Sequence, residues 1–172
     1  MAMNLDDAVA RLAFNRDTIR GLASGISPEQ AGWRAAPDAW SMVEVINHLA
    51  DEEAEDFRTR LDYTLHRPEA DWPPIDPQAW IQERNYAGRA FGESLARFEA
   101  ERERSLSWLR ALESPDWDST HRHPVFPPIT AGDLLHAWLA HDLLHIRQLT
   151  ELHHGWLCEQ SAPYEAGYAG EW

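Results

Sequence analysis

The chain has 172 residues, the length of one domain with room for a sizeable core. Its 29 acidic and 15 basic side chains leave a net charge of −14. That balance argues against a nucleic-acid partner, which needs a concentrated basic patch, and against an anionic membrane surface. Lysine is absent, so Schiff-base and lysine-nucleophile chemistry are excluded. One cysteine, Cys158, allows no internal disulfide, and no apolar run approaches membrane-spanning length; a soluble, cytoplasmic protein is expected.

In chain order, the first predicted helix covers residues 4–23, with Leu5, Val9, Leu12, Ile19 and Leu22 at helical spacing. A turn at Ser24-Gly25 follows. Ser27-Pro28-Glu29-Gln30 then reads as a short helix start: Ser27 as cap, proline in the first position, Gln30 closing a capping box. Ser41-Met42-Val43-Glu44 is a second capping box and opens a long helix that ends near residues 66–68.

A proline-bearing loop through Trp72-Pro73-Pro74 leads to a third helix, with Trp80, Ala87, Phe91, Leu95, Phe98, Leu109 and Leu112 as its inward stripe. Residues 99–104 read as a solvated run of alternating charge, and Gly88 and Gly92 as points of close packing or bending. A second proline-rich joint over residues 114–128 precedes the fourth helix. Thr130 and Asp133 form its capping box, and Gly155 is expected to stop it. No strand-like alternation and no internal repeat is visible. The expected fold is an all-α four-helix bundle over residues 1–155, followed by an irregular C-terminal tail over residues 156–172.

The chemistry-bearing feature is His141-Asp142-Leu143-Leu144-His145-Ile146-Arg147-Gln148. Histidines at i and i+4 leave one face of a helix together, which suits two imidazole ligands on one metal ion. His48, in the second long helix, is a candidate third ligand. His136 is a poorer one, because five residues place it about 140° around the helix from His141. His153 and His154, at the expected helix end, read as solvent-facing, and His121 and His123 as loop residues able to line a pocket mouth. Asp51 and Glu52 follow His48 by three and four residues; they could hydrogen-bond an imidazole or serve as a general base. Gln148 could orient a ligand, and Trp138 could wall a pocket. Cys158 reads as buried or inert.

Two metal classes fit less well. The motif departs from the HExxH zinc-protease signature by carrying aspartate, and no later ligand follows. A di-iron carboxylate bundle needs two Glu-x-x-His pairs, and only Glu151-Leu152-His153-His154 supplies one, at the expected helix end.

Trp40-Ser41 with Glu44 and His48-Leu49-Ala50-Asp51-Glu52 resembles the second-helix signature of the DinB-like/YfiT-like superfamily. His123-Pro124, Thr130, Leu134-Leu135, Trp138 and the histidine block through Gln148 resemble its fourth-helix block, and Ser27-Pro28-Glu29-Gln30 with Trp33 and Pro37 its linker. The resemblance covers residues 5–151. It implies an up-down-down-up four-helix bundle with a long crossover. It also implies a divalent ion, nickel or zinc, on His48, His141 and His145, and frequent homodimers. It further implies either metal-dependent hydrolysis of a small molecule or transfer of a low-molecular-weight thiol such as bacillithiol or mycothiol. The alternative is a non-catalytic metal-binding stress protein.

Overall fold

A computed structural model describes residues 4–122 and 127–172. Helix α1 spans Leu5–Ala23, and its first amides at Asp6 and Asp7 are accepted by the Asn4 side chain. The short α2, Pro28–Gly32, is capped by Ser27. Gln30 does not close the box; its amide donates instead to Nδ1 of His153, a partner 123 residues away.

The second long rod is composite. Helix α3, Met42–Asp51, starts from the Ser41–Glu44 capping box. It widens into a π-helical segment, Glu52–Phe57, and resumes as α4, Arg58–His66. The third predicted helix is two. Helix α5 covers Pro77–Glu83, the chain turns through Asn85 at φ 46°, and after a 3₁₀ turn at Tyr86–Gly88 helix α6 covers Phe91–Arg110. A left-handed backbone at a non-glycine residue ends a helix, and asparagine tolerates it better than most residues.

Helix α7 runs Ala131–Gln160 from the Thr130–Asp133 box and passes straight through Gly155. The expected stop fails for a packing reason: a Cβ at position 155 would lie 2.7 Å from the Trp33 ring. The glycine is there to admit an indole, and Trp33 Nε1 donates to Glu159 2.8 Å away on the added turns. The proline-rich joint contributes a two-residue antiparallel pair, β1 (Thr120–His121) with β2 (Ile129–Thr130), which the sequence did not suggest. His123 and Pro124 lie outside the described residues.

The core clusters give the direction of each helix. A lower layer joins Leu5 and Val9 of α1, Phe57 and Leu61 of the second rod, Leu106 and Leu109 of α6, and Leu134 and Trp138 of α7. An upper layer joins Ile19 and Ala23, Met42 and Ile46, Phe98, and Leu149 and Leu152. Helix α1 therefore rises, the second rod and α6 both descend, and α7 rises. Helix α1 packs on α6 and α7, and the second rod packs on the same two. This is an all-α, up-down-down-up four-helix bundle. Its two parallel helices require the long crossover at residues 67–90, sealed by Trp80, Ile81 and Tyr86 against Trp40.

Between the layers sits a buried charge knot. Arg102 is fully buried, although its surrounding sequence reads as a solvated charged stretch. It grips Asp142 with two bonds of 2.8 and 2.7 Å, Glu53 at 2.7 Å and the Leu12 carbonyl at 2.9 Å. Asn15 donates to Asp142 at 3.1 Å, and Trp138 donates to Glu53 at 3.0 Å. All four rods thus meet in one hydrogen-bonded cluster, level with the histidines.

Candidate metal centre

The π-segment lets three consecutive acids, Asp51, Glu52 and Glu53, all be buried, where the sequence suggested a solvated acidic run. One turn above it, His48 leaves α3 toward α7, and His141 and His145 leave α7 to meet it. Nε2 of His141 lies 3.3 Å from Nε2 of His48 and 3.1 Å from Nε2 of His145. The three donors all fall within 4.8 Å of one another. Donors at a zinc–nitrogen length of about 2.0–2.1 Å stand about 2.9–3.4 Å apart at angles from square to tetrahedral. The two separations at His141 fall in that range, as donors to one divalent ion would.

The electrostatics agree. Burial, and then the closeness of the His145 imidazole, pull the His48 imidazole down to about 3. Burial and the two neighbouring histidines take His141 to about 2, and burial lowers His145 as well. All three rings are neutral at physiological pH, the form that ligates metal. Nδ1 of His145 donates to Oε1 of Gln148 at 2.8 Å, which places the proton on Nδ1 and the lone pair on Nε2. The His48 Nδ1 is buried and has no hydrogen-bond partner among the described residues, so that ring is held by packing. Trp40 packs edge-on against it with centroids 4.9 Å apart and lies parallel to His145 at 6.4 Å. Phe57 holds His141 at 5.0 Å.

A cavity of 490 Å³ opens beside His145 and is lined by Ala35, Asp38, Trp40, Gln148 and Glu151 among others. A larger cavity of 720 Å³, among α1, α2, α3 and α6, touches none of the three histidines.

The other candidates sort as follows. Asp51 is not available to an imidazole as a hydrogen-bond acceptor. Its carboxylate takes bonds from Tyr86 and Arg97, and from Arg84 at 2.8 Å. Burial would raise this carboxyl, but Tyr86 and the two arginines outweigh it and hold it below the ordinary range, which makes it a poor base. Glu52 is different. Burial, then the neighbouring Asp56, push it up to about 8, and its Oε1 has no hydrogen-bond partner among the described residues.

Trp138 does not wall the pocket; it is 1% exposed, stacks on Phe57 and bonds Glu53. The wall is Trp40, whose place directly before the cap Ser41 of the His48 helix was the available clue. His136 is exposed and lies outside the cluster. His121 is buried, stacks on Trp72 at 4.1 Å and faces the Pro68 carbonyl at 3.2 Å, so it seals a joint. His153 is not solvent-facing: Nε2 donates to the Leu22 carbonyl at 2.6 Å. His154 stacks on Trp172 at 4.1 Å, and Cys158 is exposed, 3.7 Å from His154, not buried.

Comparison with known proteins agrees with this architecture. YfiT from Bacillus subtilis, described as "a probable metal-dependent hydrolase with an unusual four-helix bundle topology", superposes with a TM-score of 0.78 at 21% identity, covering 89% of each chain. A variant of a mycothiol-dependent maleylpyruvate isomerase superposes at 0.69 with 13% identity, over 86% of this chain and 61% of that one. In sequence, a "Putative metal-dependent hydrolase" of Oceanobacillus iheyensis is 28% identical over 128 residues, 74% of this chain and 73% of that protein. The family model described as DinB superfamily matches residues 11–149, from the first helix to the turn after the histidine pair, and the chain belongs to that superfamily.

Proposed function

We propose that His48, His141 and His145 hold one zinc or nickel ion and that the protein is a metal-dependent hydrolase of a small molecule bound in the adjoining cavity. The observation that carries this reading is the convergence of three neutral Nε2 atoms, 3.1 and 3.3 Å apart, at the edge of a 490 Å³ cavity. The descriptions of the Oceanobacillus protein and of YfiT support it.

A divalent ion on three neutral ligands supplies positive charge that polarises a carbonyl and acidifies water. The chain's own residues do the rest. Gln148 keeps the His145 proton on Nδ1, and Trp40 shields His48 and His145 from solvent. Glu52, with a carboxyl near neutrality in affinity for its proton, is the proposed proton carrier. Hydrolysis is preferred to thiol transfer because the cavity wall carries Asp38 and Glu151 and, among the described residues, no arginine, a poor fit for the carboxylates of an anionic thiol cofactor.

The test is elemental analysis of untagged protein, followed by a panel of small amides and esters. About one zinc or nickel per chain is expected, with none in the His141→Ala/His145→Ala variant of unchanged helicity, and with hydrolysis that follows the metal. Failure to take up either metal overturns the metal reading. Uptake with no turnover, or turnover only with bacillithiol or mycothiol and an electrophile, overturns hydrolysis in favour of a binding protein or a thiol transferase.

A further inference from the structure

We infer that the cavity beside the histidines selects a substrate with a cationic group, such as a primary amine, at the end of a short apolar spacer. The inference rests on the metal reading above and names the substrate class for that site.

The charges around the cavity are one-sided. Asp38 and Glu151 line it, and among the described residues no arginine does; His145, the one histidine in its lining, is neutral. Asp38 makes no ion pair among the described residues. Arg34, which lies close to it in the chain, is turned away. It donates to the Ala39 carbonyl and to the buried carboxylate of Glu44, both at 2.6 Å. Glu151 meets Arg147 at 3.3 Å, but both side chains are largely in water, 49% and 71% exposed, where such a pair is weak. The cavity mouth therefore carries net negative charge, in a chain already at −14.

The second observation is the wall itself. Trp40 lines the cavity while its ring also contacts two of the three histidines. An indole face attracts an organic cation. Along α7, His145, Gln148 and Glu151 follow at intervals of three, each about 60° around the helix from the last, and all three line the cavity. The rise from His145 to Glu151 is about 9 Å. A molecule whose reacting carbonyl sits at the histidine end would place a group about five or six bonds further on between Glu151 and Asp38, alongside Ala35 and Leu152. Aliphatic spacer, aromatic wall and terminal carboxylates match an aminoalkyl chain and repel a carboxyalkyl one.

The test uses three hydroxamates that share a metal-binding head and a five-methylene spacer but differ in the terminal group: 6-aminohexanohydroxamate, heptanohydroxamate and pimelate monohydroxamate. Their binding to the zinc-loaded full chain is measured by calorimetry. The amine is expected to bind about tenfold tighter than the neutral isostere, a typical gain for one desolvated cation–π contact or ion pair, and the carboxylate weakest. Asp38→Asn/Glu151→Gln, two exposed substitutions, is expected to bring the amine and the methyl compound to equal affinity while zinc stoichiometry stays unchanged. Zinc bound with equal or reversed preference among the three overturns the inference alone. A protein that binds neither zinc nor any hydroxamate overturns the metal reading, and the inference with it.

Discussion

The bundle buries two polar clusters side by side on the same helices. His141 belongs to one and Asp142 to the other; Glu53 of the charge knot sits one residue from Glu52. The knot is complete within the chain. Arg102 meets two carboxylates and a carbonyl, and the carboxylates take further donors from Asn15 and Trp138. The histidine cluster brings together three neutral rings of the same kind, with Nε2 atoms converging and one buried Nδ1 without a partner among the described residues. Polar groups that complement each other hold a fold together. Like groups facing each other in a desolvated space are arranged for something that complements them all, and a cation does so.

The contrast can be broken first at the knot. Arg102→Met leaves Glu53 and Asp142 buried without their cation, and loss of one partner from such a buried pair costs roughly 3–5 kcal/mol. Urea denaturation should show that loss, and adding Glu53→Gln with Asp142→Asn should recover part of it. If Arg102→Met denatures at the wild-type midpoint, the knot is not what joins the rods.

The histidine cluster should respond differently. Metal-free His141→Ala/His145→Ala gives up the His145–Gln148 hydrogen bond and the packing of His141 on Phe57, but strands no buried charge, so it should lose less stability than Arg102→Met. The difference appears with metal. Zinc at about a thousand times its dissociation constant should stabilise wild type by about 4 kcal/mol and the variant not at all. Equal thermal shifts for the two proteins would remove these histidines from the site.

Gln148→Ala sharpens the comparison at a smaller scale. It removes the acceptor that holds His145 in its ligating tautomer, and such supporting partners are worth about 10–100-fold in metal affinity. Competition with a chromophoric chelator reads this directly. Glutamate in place of Gln148 keeps the acceptor and should restore most of the affinity.

What could be read in the sequence was local or strongly periodic. The capping boxes at Ser41 and Thr130 use contacts three residues apart, and both form as expected. The His141–His145 pair is a single helical turn, and the bundle follows from the apolar stripes. What could not be read depends on partners far along the chain. Arg102 looks solvated among charged neighbours because Glu53 and Asp142 lie 49 and 40 residues away. Gly155 looks like a helix stop because the ring that needs its bare Cα belongs to Trp33. The π-segment leaves no compositional mark, yet it buries Asp51 against Tyr86 and two arginines and gives Glu52 its environment. Hence two adjacent acids, alike in sequence, have carboxyls displaced in opposite directions.

That divergence supplies the smallest prediction. In metal-free protein the lowered His48 and His141 contribute stability that is fully present above the unfolded value of 6.5 and lost as pH falls through their folded values of about 3 and 2. Glu52 acts with the opposite sign. Its carboxyl is raised from 4.5 to about 8, so its contribution is complete below 4.5 and lost as pH rises through 8. Between pH 6.5 and 8 the histidines are silent and Glu52 titrates alone of these groups. One proton over that interval amounts to about 2 kcal/mol at most, so wild type should lose up to that much stability while Glu52→Gln stays nearly flat. Urea midpoints at the two pH values suffice, with chelator present. A wild type as flat as the variant would mean that Glu52 is ionised throughout, and the proposed proton carrier would lose its physical basis.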